Sequence, residues 1–168
     1  MRITQCTPRD FQYILSHMPD YWENRDTLEL HHAMFVREFQ ETAFVIRRHG
    51  QILGYLFGFI EPGGKYGYVH LIASHREHRG HGIARDLYDH FFHECRRRGC
   101  TQVRAITSAH NQLSIQFHRR LGFKLVGNTI KDGHPVMKNY AGPGKDRVLL
   151  MKSIAASGPP LRKAGSGS

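Results

Sequence analysis

Apolar and polar positions change period several times along this chain, and each change marks an element. Ile3 to Cys6 reads as a first strand. Thr7-Pro8-Arg9-Asp10 opens a helix, with Thr7 at the N-cap and Pro8 at the first helical position. Phe11, Ile14, Leu15 and Met18 recur at helical spacing until Pro19 breaks the pattern. A second helix is predicted from Asp26 to Phe39, where Leu28, Leu30, Met34, Phe35 and Phe39 recur less regularly. Thr42 to Arg48 and Gln51 to Ile60 form a hairpin around His49-Gly50, and the turn Glu61-Pro62-Gly63-Gly64 leads into a strand from Lys65 to Ser74.

Ile83, Leu87, Phe91 and Cys95 then stand at steps of four, with Ala84, Tyr88 and Phe92 alongside, as the core face of a helix that stops at Gly99. A strand from Gln102 to Thr107 follows, then a helix opened by Asn111 and ended by Leu121-Gly122. Phe123 begins another strand, Asn128 to Asp146 is a polar stretch, and Arg147 to Met151 is a last strand. From Ser153 the chain reads as a flexible tail ending in Gly165-Ser166-Gly167-Ser168, which sets a folded domain at 1–152 and a tail at 153–168.

The first chemistry lies in Arg79-Gly80-His81-Gly82-Ile83-Ala84, between the apolar segment Tyr68 to Ala73 and the long amphipathic helix. A helix N-terminus leaves backbone N–H groups without partners and carries roughly half a positive charge, so strand, glycine turn and helix make an anion site. Glycines at 80 and 82 let a ligand approach the backbone. A dinucleotide fingerprint would put a third glycine where Arg85 stands, and a P-loop would need Gly-Lys-Ser/Thr, which is missing. The run instead fits Arg/Gln-x-x-Gly-x-Gly/Ala, read as Arg79, Gly82 and Ala84. Downstream, Asn111-Gln112-Leu113-Ser114-Ile115-Gln116-Phe117-His118-Arg119-Arg120-Leu121-Gly122-Phe123 looks like Asn-x-x-Ala-x-x-Leu-Tyr-x-x-x-Gly-Phe, with Ser114 for Ala, Phe117 for Leu and His118 for Tyr.

With these two blocks in this order, residues 2 to 152 resemble the GNAT superfamily of acyl-CoA-dependent N-acetyltransferases. The resemblance implies an α/β fold: a mixed, mostly antiparallel central sheet of about seven strands flanked by about four helices. It also implies acetyl-CoA as cosubstrate, with its pyrophosphate on Arg79, Gly80, His81, Gly82, Ile83 and Ala84. The pantetheine arm then runs along Ile72, Ala73 and Ser74, with Asn111 and Phe117 as further coenzyme contacts. Direct transfer to an amine in a ternary complex is the family's usual route. A small-molecule amine is the expected acceptor; a protein N-terminus or lysine is the alternative, and a non-catalytic acyl-CoA-binding regulator is the rival from another class.

Two histidines are the catalytic candidates. His70 sits in the apolar strand nine residues before Arg79, and imidazole suits proton transfer near neutral pH. A histidine at this offset resembles one in the arylalkylamine N-acetyltransferases, and it is the expected general base, with Glu61 and Tyr68 in reserve; a hydrogen-bonded core histidine is the plainer reading. His118 occupies the position where the family carries a Tyr proton donor, and it is expected either to protonate the leaving thiolate or to contact the coenzyme.

Composition adds bounds. At 168 residues and 40% hydrophobic, the chain suits one domain with a single sizeable core. Three cysteines without a Cys-x-x-Cys pair, and a start at Met1-Arg2-Ile3 lacking an apolar stretch, point to a reducing cytoplasm. No apolar run approaches the roughly 20 residues of a membrane span. The formal charge of +10 gathers at Arg47-Arg48, Arg96-Arg97-Arg98 and Arg119-Arg120 without interleaved aromatics, so a solvated basic face is favoured over specific nucleic-acid binding. Its field still assists an acidic coenzyme. His75, His78 and His81 recur at steps of three, but zinc sites draw ligand pairs from separate elements, so no metal is expected. A homodimer is left open.

Overall fold

The structure, a computed structural model, describes residues 1–155. The tail expected from 153 therefore lies outside the described residues from position 156 onward. After β1 (Arg2–Gln5), α1 (Pro8–Ser16) starts where its capping signal stands. Thr7 Oγ1 accepts from the Asp10 amide at 3.2 Å, and the Asp10 carboxylate accepts from the Thr7 amide at 2.9 Å, a reciprocal capping box. Pro19 ends the first periodic run and sits in the first turn of a short α2 (Met18–Trp22).

The predicted helix from Asp26 to Phe39 is not one element. Two 3₁₀ turns, at Leu28–Leu30 and Gln40–Thr42, flank a one-turn α3 (Met34–Arg37). Between residues 23 and 34 only Thr27 and His31 are buried, while Leu28, Leu30 and Met34 are exposed. With no apolar stripe to hold it against the core, a continuous helix has nothing to pack.

The hairpin of β2 (Ala43–Arg48) and β3 (Gln51–Ile60) turns at His49 and Gly50, both at positive φ, as a two-residue hairpin requires. β4 (Tyr66–Ser74), α4 (Ile83–Arg97) and β5 (Gln102–Thr107) follow, with α4 as the crossover that a parallel strand pair needs. Then come α5 (Gln112–Arg120) and β6 (Lys124–Val126). Inside the polar stretch 128–146, β7 (Thr129–Lys131) and β8 (His134–Val136) make a separate hairpin around Asp132-Gly133. β9 (Val148–Ser153) runs past the expected domain edge at 152, and Ile154 beyond it is buried, its carbonyl accepting from Arg96 Nε at 2.9 Å.

The main sheet has seven strands in the order β1-β2-β3-β4-β5-β9-β6, and β4–β5 is its parallel pair. Among the described residues five α-helices accompany it, one more than expected. Alternate residues of β2 divide the core: Phe44 and Ile46 pack with Leu87, Phe91 and Ile115 on the α4–α5 face, whereas Val45 packs with Phe11, Ile14, Tyr21 and Phe57 on the α1–α3 face. Among the described residues no helix is long and apolar enough to cross a membrane.

Candidate active site

The two strands of the parallel pair separate partway along. β4 and β5 pair from Tyr66 opposite Gln102 to Val69 opposite Ala105, and then part. Beyond that point, among the described residues, β4 is bonded only to β3, while the last residues of β5 pair with β9. His70 is the first residue past the fork. It is also the extra residue of a β-bulge, because Phe57 faces Leu71 and the next β3 residue, Gly58, faces Val69. The bulge reverses the facing of the strand: Val69 packs on the α4–α5 face, Leu71 and Ala73 on the other.

Past the bulge, backbone groups alternate between the two edges of β4. The His75 amide donates to the Leu53 carbonyl at 2.8 Å, so residues 73 and 71 also turn toward β3 and the N–H and C=O groups of Ile72 and Ser74 turn toward the fork. Among the described residues these backbone groups have no hydrogen-bond partner, and a free N–H and C=O edge is what a pantetheine amide needs. Ala73, the third residue expected there, presents its backbone to β3 and not to the fork.

The fork leads into the glycine turn. Gly80 and Gly82 have φ of 80° and 81°, and a Cβ at either would meet nothing within 4 Å. Gly82 is the N-cap of α4 and provides no side-chain cap. The first α4 amide with a partner is Asp86, which donates to the Gly82 carbonyl at 2.9 Å; among the described residues those of Ile83, Ala84 and Arg85 have none. Three free amides, open space before them and the positive end of a 15-residue helix fit a pyrophosphate. Ile83 contributes only its amide, since its side chain is in the core. His81 is exposed on the turn and donates from Nδ1 to the Arg79 carbonyl at 3.1 Å.

Arg79 also ties the fold together: its guanidinium donates to Glu23 Oε1 at 2.6 Å and to the Tyr21 carbonyl at 2.8 Å, two of its five N–H donors, and so fastens α2 to the glycine turn. His75, His78 and His81 line the same turn with ring centroids 5.5 and 6.4 Å apart in succession. Among the described residues no three His, Cys, Asp or Glu side chains are grouped to hold a metal ion.

His70 is half-buried, stacked on Phe35 at 4.7 Å, with His32 at 6.0 Å. Its Nε2 lies 2.9 Å from the Leu30 carbonyl, which only accepts, so Nε2 carries the proton and Nδ1 carries the lone pair. Burial holds its pKa below the ordinary imidazole value, against the opposing Leu30 bond and with help from His32. The ring is thus neutral and basic at one known nitrogen. The reserves fare differently. The Glu61 carboxylate accepts from the Gly63 and Lys65 amides at 2.8 and 2.7 Å, and it caps a turn. Burial pushes the Tyr68 hydroxyl up, which keeps it protonated and unfit as a base.

His118 does not have the geometry of a proton donor. It is 4% exposed, packed among Tyr88, Phe117 and Phe123. Its Nδ1 donates to the Ser114 carbonyl at 2.7 Å, so Nε2 accepts from the Tyr88 hydroxyl at 2.7 Å. Burial lowers its pKa to about 4. At neutral pH no imidazolium exists here, and both nitrogens are engaged. Phe117 is half-buried beside the same cluster, and Asn111 caps α5 by accepting from the Ser114 amide at 3.2 Å. Sequence gave no signal for the Leu30 carbonyl or the bulge: the first comes from an irregular segment, the second from a one-residue change of register.

The fold is similar to that of several solved acetyltransferases. The ribosomal-protein-S18-alanine N-acetyltransferase from Escherichia coli superposes with a TM-score of 0.66 at 16% identity, over 95% of this chain and 97% of that one. An aminoglycoside 6'-N-acetyltransferase complexed with coenzyme A gives 0.67 at 15%, over 93% and 98%. The putative acetyltransferase yncA from Salmonella typhimurium, with its cofactor acetyl-CoA, gives 0.66 at 19%, over 97% and 99%. No curated protein matches the sequence. The model of the acetyltransferase (GNAT) family matches residues 9–123, which takes in the glycine turn, the fork and the Asn111 helix. The chain belongs to the GNAT acetyltransferase family.

Proposed function

We propose that the protein transfers an acetyl group from acetyl-CoA directly to a primary amine, with both substrates bound and no covalent enzyme intermediate. The observation that supports this most is the fork: past Val69 the edge of β4 that carries the backbone groups of Ile72 and Ser74 has no strand partner among the described residues, and the glycine turn that follows β4 opens α4 with free amides. The pyrophosphate is held by the amides of Ile83, Ala84 and Arg85, and the pantetheine arm by Ile72 and Ser74. His70 Nδ1 takes the proton from the incoming ammonium or from a relaying water, which frees the nitrogen lone pair to attack the thioester carbonyl. Attack leaves one further proton on the amine nitrogen, which is lost to solvent as the C–S bond breaks, and the departing thiolate, a weak base, takes a proton from solvent, since His118 holds none to give.

The acceptor is a small-molecule amine in this reading. His70 lies half-buried under the 28–30 turn, and a small amine reaches it without threading an extended protein terminus past that turn. The structural neighbours include enzymes named for aminoglycosides and for ribosomal-protein alanine, so both classes belong in the test. Release of free coenzyme A thiol is followed with polyamines, arylalkylamines, amino acids and aminoglycosides, and in parallel with peptides bearing a free N-terminus or lysine. Faster release with a small amine, matched by acetylated product, supports the proposal. Release with peptides alone moves the acceptor to proteins; no amine-dependent release from a protein that binds acetyl-CoA makes it a non-catalytic binder.

A further inference from the structure

Thr27 and His31 are the two buried residues of the irregular segment between Trp22 and Phe35, and His31 makes a chain of hydrogen bonds that runs in a single direction. The Thr27 carbonyl only accepts, so His31 Nδ1, at 2.8 Å, carries the proton and His31 Nε2 is a lone pair. The Tyr55 hydroxyl, 2.7 Å away, therefore donates to Nε2, and its oxygen accepts from Trp22 Nε1 at 2.6 Å. Every polar atom in the series is satisfied in one way only. His31 is 7% exposed and Tyr55 fully buried on β3, where it stands opposite Ala73 of the coenzyme strand. Burial keeps His31 neutral, helped by His70 and His32 nearby.

The residue before His31 is Leu30, whose carbonyl orients His70. Leu28 and Leu30 are 59% and 41% exposed, so apolar packing does not hold this 3₁₀ turn in place. Its fixed points are Thr27 and His31, on either side of the carbonyl that His70 needs.

We propose that Trp22, Tyr55 and His31 are positioning residues for the acetyl transfer: their buried chain holds the Leu30 carbonyl on His70 and thereby fixes which ring nitrogen of the base carries the proton. This rests on the reading of His70 as the base, but its structural half, the tautomer of His70, is measurable without any reaction. Tyr55→Phe removes the link that joins Trp22 to His31 and leaves both buried partners unpaired.

The test is the ring ¹⁵N spectrum of His70 in the folded wild type and in Tyr55→Phe, together with steady-state kinetics. In the wild type His70 is a single Nε2–H tautomer. In Tyr55→Phe it becomes a mixture, and kcat falls about tenfold or more while the KM for acetyl-CoA, whose contacts lie on β4 and α4, stays within about twofold. His31→Gln, whose side-chain oxygen can accept from Tyr55, retains more of the rate than His31→Ala. Should Tyr55→Phe fail to fold, Trp22→Phe removes only the outermost donor and carries the same two readouts. An unchanged His70 tautomer in a folded variant overturns the proposal. If His70→Ala keeps full activity the base assignment fails instead, and the ¹⁵N spectrum still decides whether the chain orients His70.

Discussion

His70 and Leu30 lie forty residues apart, and the imidazole Nε2 of the first donates to the carbonyl of the second at 2.9 Å. That contact fixes the tautomer of a strand histidine and leaves Nδ1 with the lone pair, because a carbonyl can be satisfied only by the protonated nitrogen. It also joins the two parts of the site. Leu30 belongs to the segment on the α1–α3 face, while His70 stands where β4 leaves β5.

Coenzyme affinity reports on the glycine turn. Gly82 has φ of 81° and open space where a Cβ would stand, so Gly82→Val both strains the turn and puts methyl groups in front of the α4 amides. Calorimetry should show binding of acetyl-CoA weakened by at least about tenfold, some 1.4 kcal/mol. Equal affinity in a folded variant would remove the pyrophosphate from this turn.

The Tyr88–His118 pair sets a pH dependence of stability. The folded pKa of His118, about 4, lies below the ordinary imidazole value of 6.5, so between those values the unfolded chain binds a proton that the folded chain does not. The contribution is complete above pH 6.5 and is lost as pH falls toward 4, on the order of 3 kcal/mol at the low end. Urea unfolding should therefore show a shallower decline from pH 6.5 to 4 in a Tyr88→Phe/His118→Phe double variant, which removes both hydrogen-bonding groups together. The same variant should acetylate at close to the wild-type rate. A parallel decline, or a rate lowered a hundredfold, would return His118 to the role of proton donor.

Gly54 fixes how closely β3, β4 and α4 pack. A Cβ there would stand 2.6 Å from Ile83 Cγ2 and 2.7 Å from the Ala73 carbonyl, and the second neighbour is backbone of β4. Gly54→Ala should cost about 1–3 kcal/mol in chemical unfolding and weaken acetyl-CoA binding as well. A variant as stable as the wild type would mean that β4 shifts freely, and the fork would not be a preformed site.

Local signals were legible. Thr7-Pro8 placed α1, the four-residue steps from Ile83 placed α4, and Asn111 with Gly122 bounded α5. The glycine turn was visible because a helix start and its free amides are consecutive in sequence. What escaped depends on tertiary register. The bulge at His70 is one residue of mismatch between strands, and the chain from Trp22 to Thr27 joins segments that no period relates. His118 shows the limit of position by motif: it fills the family's tyrosine position, yet a shorter ring beside the Tyr88 hydroxyl settles into the core.

The most direct test of the account is kcat/KM for the amine against pH, in the wild type and in His70→Ala. The wild type should rise through an acidic limb lying below the ordinary imidazole value, because burial holds His70 down. His70→Ala should lose about 10²–10⁴ in kcat and with it that limb. The same rate and the same limb in both proteins would contradict the assignment of His70 as the base.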